Sequence, residues 1–249
     1  MTRHDSAQLL LVRHAESLGN VAREASEASD SETIAIDVRD ADVALSPLGE
    51  GQAAAFGQWL AELPPVRQPT RAWASSYRRA RQTAELALAE AALNCPLRVD
   101  ERLRDRELGV LDRLTARGVQ ARYPGEAERR RYLGKFYYRP PGGESWADVV
   151  LRLRSFLGDI SDDLSDGVVL IVAHDAVVLL LRYICQELDE ATLLDIARTR
   201  SVGNASITRL VRDDATDAWT LDLDNVQQHL IEHGSVPTAH EAEHDVDPR

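Results

Sequence analysis

Residues 8–20 read QLLLVRHAESLGN. Gln8 to Val12 is a short apolar run bounded by polar residues, the pattern of a strand buried on both faces of a sheet. It delivers Arg13 and His14 at its C-terminal end, where open α/β sheets bind ligands. An arginine offers a planar fork of donors suited to phosphate or carboxylate. A histidine with one unprotonated ring nitrogen can act as nucleophile or general base. A pair that merely solvates a strand end would read the same way, so the rest of the chain has to decide.

The clearest buried strand lies far downstream. Gly167 to Ala173 reads GVVLIVA and delivers His174 and Asp175. In a parallel sheet two such strands can bring their histidines to one edge. Between them, Ser46-Pro47 opens a helix that Pro64-Pro65 stops. Thr70 to Ser75 reads as a strand, Tyr77 to Leu93 as a helix, and Leu97 to Val99 as another strand. Arg78, Arg79 and Arg81 crowd the strand-to-helix turn, where a helix N-terminus already favours anions. A helix follows Ser145, and Leu179–Leu188 and Asp189–Arg198 read as two more. Ala205–Val211 and Trp219–Leu223 read as closing strands. Residues 21–43 carry scattered carboxylates and little apolar periodicity, and read as an exposed acidic excursion. The pattern predicts one α/β domain over residues 1–235. Residues 236–249 read as a disordered acidic tail, with metal binding by His240 and His244 a weak alternative.

The chain has 249 residues, a formal net charge of −12 and two cysteines. Such a charge argues against nucleic acid or an acidic membrane as partner, so an anionic substrate needs a local cationic site. Cys95 and Cys185 supply neither a disulfide framework nor zinc spacing, which points to a reducing compartment. The N-terminal MTRHDSAQ carries no apolar signal region and no run approaches a membrane span, so a cytoplasmic location is expected. Lys135 is the only lysine and is followed by Phe136, which excludes a phosphate-binding P-loop and disfavours Schiff-base chemistry. From Arg113 to Pro141 arginines alternate with tyrosines, which predicts an insertion over the active edge, a basic and aromatic cap for an anionic substrate. The same interleaving suits single-stranded nucleic acid, but the net charge and short length stand against it.

Arg13-His14-Ala15-Glu16-Ser17 with Asn20 resembles the R-H-G-[ET]-x-x-x-N signature of the histidine phosphatase superfamily, the phosphoglycerate-mutase-like proteins. Ala15 departs from the usual glycine, a methyl group expected to intrude slightly near the phosphate. Further segments resemble the family in the same order: Leu45, Ser46, Gly49, Gln52 and Ala53; then Ser75, Arg79, Ala80, Thr83 and Ala84; then Pro141 to Ser145. The resemblance covers Gln8 to about Arg209. It implies a three-layer α/β/α sandwich with a mostly parallel central sheet and a helical cap insertion at about 112–140.

The resemblance also implies roles. His14 is the nucleophile, forming a phosphohistidine, while Arg13, Arg79 and His174 hold the phosphoryl oxygens and Asn20 helps orient them. No metal or other cofactor is implied, because arginine and histidine neutralise the charge. Asp105 stands where the family has a proton-donating glutamate, with Glu107 as fallback if the register slips. Asp175 resembles the acid of the acid-phosphatase and phytase branch, although an aspartate there also reads as a helix N-cap. Asp105 takes precedence because the Ser75–Ala84 and Pro141–Ser145 segments resemble its branch. Glu144 and Ser145 are expected near the substrate, although Ser145 alone reads as an N-cap. The reading is a phosphomonoester hydrolase acting on a small anionic phosphorylated substrate. A phosphoglycerate-mutase-type phosphomutase and a catalytically weak phosphate-binding module are the alternatives. Substrate identity and oligomeric state are not legible.

Overall fold

The computed structural model describes residues 7–213 and 215–240. Its centre is a six-stranded sheet of order β3-β2-β4-β1-β5-β6. The strands are β1 (Gln8–Arg13), β2 (Arg71–Ser75), β3 (Leu97–Asp100), β4 (Val168–Ala173), β5 (Ile207–Arg212) and β6 (Trp219–Val226). Strands β1 to β4 run parallel, β5 runs antiparallel to β1, and β6 antiparallel to β5. The mostly parallel sheet expected from the sequence is therefore present, with the reversal confined to one side.

The pleat of β1 divides the core. Leu9 and Leu11 face one layer with α6 (Trp146–Asp159) and α7 (Asp175–Cys185), joined by Leu193 of α8 (Glu190–Thr199). Leu10 and Val12 face the other with α2 (Pro47–Glu62) and α3 (Arg78–Glu90). Alternate residues point to opposite faces of a strand, so an unbroken apolar run is what a sheet covered on both sides requires. The result is the expected three-layer sandwich.

The insertion between β3 and β4 carries α4 (Ala116–Arg122) and α5 (Pro124–Tyr137). Gly134, at φ 76°, kinks α5 near its end. The cap is basic toward the site but not aromatic: Arg130, Arg131 and Lys135 border the cavity, whereas Tyr132 and Tyr137 are exposed and Tyr138 is buried on Glu126. Aromatic enclosure of the substrate is therefore not what this cap provides.

Two further expectations are corrected. The stretch after Asn20 begins not as an excursion but as α1 (Leu18–Ala28), closed by a Ser17–Asn20 capping box. Its apolar residues are sparse because most of the helix faces solvent, and the cap was its legible signal. Residues 236–240, assigned to a disordered tail, are tied down. Gln52 donates to Val236 O at 2.8 Å, Asn204 N donates to Thr238 O at 2.9 Å, and Arg13 reaches His240 O at 2.8 Å. Buried polar groups of the body satisfy their hydrogen bonds on this segment, which a composition-based reading cannot see. The rest of the expected tail, residues 241–249, lies outside the described residues. The last described helix before this segment is α9 (Gln228–Glu232).

Candidate active site

Register alone brings the two histidines together. β1 and β4 are neighbours with Arg13 opposite Ala173, so His14 and His174 leave the sheet side by side. Their rings meet edge-on with centroids 5.2 Å apart. β2 flanks β4 on the other side with Ala74 opposite Val172, which places Ser75 and the start of α3 at the same edge. Arg79, the second residue of α3, is thereby aimed at His14.

The loop after β1 is pinned from behind. Ala15 N donates to Thr83 Oγ1 at 3.0 Å, and Glu16 N donates to Gln52 Oε1 at 2.8 Å. Ser46 donates to the buried Glu16 carboxylate at 2.6 Å. Gly49 lies so close that a Cβ there would stand 1.9 Å from Glu16 O. Ala15 itself does not border the cavity. Its methyl packs in a small cluster with Leu45, Ala53 and Ala205, so the expected intrusion on the phosphate is absent.

The ring of His14 has a defined tautomer. Nδ1 lies 2.8 Å from Ala15 O, and a carbonyl only accepts, so Nδ1 carries the hydrogen. Nε2 is left with a lone pair, which accepts from Arg79 Nε at 3.2 Å. Burial, reinforced by the Arg79 guanidinium, holds the imidazole well below its ordinary 6.5. The His14 imidazole is therefore neutral at pH 7.

His174 is wholly buried. Its Nδ1 lies 3.3 Å from Asp105 Oδ2 without meeting the geometry of a hydrogen bond. Its Nε2 lies 2.8 Å from Ser75 Oγ, and that hydroxyl accepts from Tyr77 N at 3.2 Å. Ser75 can thus donate to Nε2 and leave the Nδ1 hydrogen facing the carboxylate. Burial lowers the His174 pKa despite the pull of Asp105.

Asp105 accepts from Arg79 Nη2 at 3.0 Å. Burial would raise its pKa, but the His174 and Arg79 contacts hold it well below the usual carboxylate range. Asp175 differs. Burial pushes it up to about 6 against the opposing pull of Arg13, and its Oδ1 is buried without a hydrogen-bond partner. Arg13 Nη1 is held by Val202 O and His240 O, while its Nε is buried without a partner.

These groups surround a cavity of about 740 Å³, although the wholly buried His174 and Ser75 do not line it. Arg13, His14, Asn20, Arg79, Asp105 and Asp175 border it, as does Glu107, which accepts from Tyr77 Oη at 2.9 Å. Asn20 enters mainly as a scaffold, its Oδ1 accepting from Ser17 N at 3.0 Å. Glu144 and Ser145 stand back from the cavity. Glu144 pairs with Arg104 and Arg152, and Ser145 caps α6. Arg23, from outside the cap, and Arg113, at its start, add cationic edges. The chain is acidic overall, yet arginines from six separate segments converge here, which is the local cationic site that an anionic substrate needs.

Sequence reasoning missed Asp40. It borders the cavity and its carboxylate engages Arg79 on both Nη atoms. It is one acidic residue among many in its stretch, and nothing local marks it. Thr238 and His240 were missed too. His240 Nε2 stands 3.0 Å from Glu16 Oε2, behind the loop that carries His14.

Comparisons with known proteins agree with this geometry. The family described as "Histidine phosphatase superfamily (branch 1)" matches residues 9–226. A glucosyl-3-phosphoglycerate phosphatase of Mycobacterium tuberculosis is 31% identical over 203 residues, 76% of this chain and 86% of that protein. The solved native structure of a mycobacterial glucosyl-3-phosphoglycerate phosphatase superposes with TM-score 0.69 at 29% identity, covering 89% of this chain and 100% of that one. A probable fructose-2,6-bisphosphatase of Schizosaccharomyces pombe is 33% identical over 137 residues, 55% of this chain but only 31% of that protein's length. With its two strand-end histidines in register and this match spanning nearly the whole sheet, the chain belongs to the histidine phosphatase superfamily, branch 1.

Proposed function

We propose that this chain hydrolyses a small anionic phosphomonoester through a phosphohistidine on His14. The observation that carries the reading is the state of His14: neutral, with Nδ1 tied to a carbonyl and the Nε2 lone pair turned to a cavity flanked by arginine. In the first step Nε2 attacks phosphorus in line, the P–O ester bond breaks, and the leaving oxygen takes a proton. In the second, water attacks the phosphohistidine and gives its proton to the carboxylate that protonated the leaving group. The P–N bond breaks, His14 Nε2 recovers its lone pair, and orthophosphate leaves. Arg13, Arg79 and His174 neutralise the phosphoryl oxygens, the largest contribution a protein makes to such a transfer.

Asp105 is the proton donor in this reading. It sits against Arg79 and His174, the groups that hold the phosphoryl, and so beside the bridging oxygen. An arriving dianion takes over those cations and adds like charge, which raises the carboxyl pKa and lets it carry a proton. Asp175 is the second reading, favoured by its elevated pKa of about 6 and its unpartnered Oδ1. Hydrolysis is preferred over mutase chemistry because a cavity of about 740 Å³ admits water beside a small substrate. Two cysteines outside any disulfide are consistent with a reducing compartment such as the cytoplasm. Among the described residues no helix is long and apolar enough to cross a membrane.

The test is to trap ³²P on the protein from a labelled ester and follow its acceptor. Label that is acid-labile, base-stable and discharged to water supports the phosphatase. Discharge to a sugar phosphate would make it a mutase, and absence of covalent label with absence of turnover would leave a binding module.

A further inference from the structure

Arg79 has no N–H left for a substrate. A guanidinium carries five donors in a fixed fork. The Nε hydrogen goes to His14 Nε2 at 3.2 Å. Nη1 donates to Asp40 O and Asp40 Oδ1, both at 2.8 Å. Nη2 donates to Asp40 Oδ2 at 3.2 Å and to Asp105 Oδ2 at 3.0 Å. Three of the five donors end on one residue. The resting site therefore already holds an anion where a phosphoryl group has to bind.

We propose that Asp40 is a resident counter-anion of Arg79, displaced by the phosphoryl group, and that it thereby sets the affinity of the site for the phosphate dianion of substrate and product. The proposal rests on the phosphatase reading above.

Of the three partners of Arg79, Asp40 is the one free to leave. His14 releases the Nε hydrogen by itself, because its lone pair becomes the bond to phosphorus. Asp105 is needed next to the leaving oxygen and also faces His174. Asp40 has neither duty. Its side chain is 46% exposed against 24% for Asp105, and it opens a single 3-10 turn, Asp40–Asp42, on the connection between α1 and α2. On leaving, its carboxylate returns to water. Staying would place two carboxylates and a dianion around one guanidinium, a repulsion that only protonation could relieve.

The arrangement has a use in each state. Without substrate, it keeps a buried guanidinium paired, since an uncompensated buried charge is strongly destabilising. With substrate, displacement subtracts equally from binding of the ester and of orthophosphate. An interaction lost alike in ground and transition states changes KM and leaves kcat alone. Asp40 thus keeps product from lingering on a site whose arginines would otherwise hold it tightly.

The test uses the full chain and the probes orthophosphate, orthovanadate and p-nitrophenyl phosphate. Asp40→Asn should lower the phosphate Kd and the vanadate Ki about ten- to a hundredfold, the range for a hydrogen bond to a charged group. KM should fall with them and kcat should not rise. Asp40→Ser should do the same, which guards against a peculiarity of the amide. Asp42→Asn is the control: Asp42 is on the same turn but pairs with Arg39 at 2.7 Å, so its loss should leave all three constants unchanged. An unchanged phosphate Kd in Asp40→Asn overturns the proposal. So does a raised Kd with lowered kcat, which would make Asp40 a positioning residue that steadies Arg79. Phosphate binding is read by calorimetry without turnover, so the two readings fail separately. Asp40-dependent binding in a chain that hydrolyses no ester would keep this inference and remove the phosphatase.

Discussion

Arg79 Nε donates to His14 Nε2 across 3.2 Å, so the lone pair that would attack phosphorus rests on an arginine hydrogen until substrate arrives. The contact orients the imidazole and opposes its protonation at once. A neutral, aimed imidazole is the form that a phosphohistidine mechanism requires.

His14→Ala should therefore abolish both turnover and covalent ³²P labelling while the circular dichroism spectrum and melting cooperativity stay those of the parent. The side chain borders a cavity, and its loss removes no strand pairing. Labelling that persisted would move the nucleophile elsewhere.

Arg79 and its neighbour separate by burial. Arg79 is 5% exposed, whereas Arg78 is on the solvent side of α3. Arg79→Ala should lower kcat by about 10²-fold or more, the scale of losing one transition-state donor. Arg78→Ala should stay near parent activity. Equal losses would mean that long-range charge, not the Arg79 fork, serves the phosphoryl group.

The proton donor is read from leaving groups. An acid in the transition state contributes roughly 10²–10⁴-fold, but nitrophenolate departs without help. Asp105→Asn should cripple hydrolysis of alkyl phosphates and spare p-nitrophenyl phosphate. The same pattern in Asp175→Asn, and not in Asp105→Asn, would transfer the role.

Two pH effects follow from burial. Because the His14 pKa is depressed, the acidic limb of kcat/KM should lie below pH 6.5, activity falling only as the nucleophile finally protonates. Asp175 works in the opposite direction on stability. Its folded pKa of about 6 is above the ordinary 3.8, so the folded state binds more protons between those values and stability declines as pH rises through them. Asp175→Asn should match the parent in melting temperature at pH 4 and exceed it at pH 8. The gain is at most about 3 kcal/mol. A variant less stable at pH 8 would show that the carboxylate is paired after all.

Gly49→Ala should cost roughly 1–3 kcal/mol in denaturant unfolding, because its Cβ would stand 1.9 Å from Glu16 O. It should also lower kcat, since relief of the clash displaces the loop that follows His14. A neutral result would show that α2 can back away freely.

The side-by-side placement of His14 and His174 was legible because they end two apolar runs whose character admits little but buried parallel strands. Arg79 was legible through its turn and the motif around it. Asp40 was not. Seven carboxylates fall between Glu24 and Asp42, and only the path of the chain selects the one that meets the guanidinium. The helix α1 was hidden by its exposure, and Thr238 and His240 by polar composition that resembles a solvated end. For Asp40, Thr238 and His240 the missing information was a contact between distant segments, which local periodicity does not carry; for α1 the local cap was the signal. Glu144 and Ser145 show the converse: a motif can mark a scaffold near a site without supplying a side chain to it.

The strand that delivers His14 is synthesised before both strands that pair with it. β1 pairs only with β4 and β5, and the carbonyls that hold Arg13 Nη1 belong to residues 189 and 227 positions later. On the ribosome, Gln8–Arg13 therefore waits as an unpartnered apolar segment while most of the chain is synthesised, a non-local topology that folds slowly and invites aggregation. A nascent chain that has emerged only to β6 can close the sheet and present His14, yet its arginine still lacks the His240 carbonyl. The bracing of Arg13 is completed only by Val202 and His240, so a chain cut short before His240 would carry the histidine without the fully braced arginine beside it.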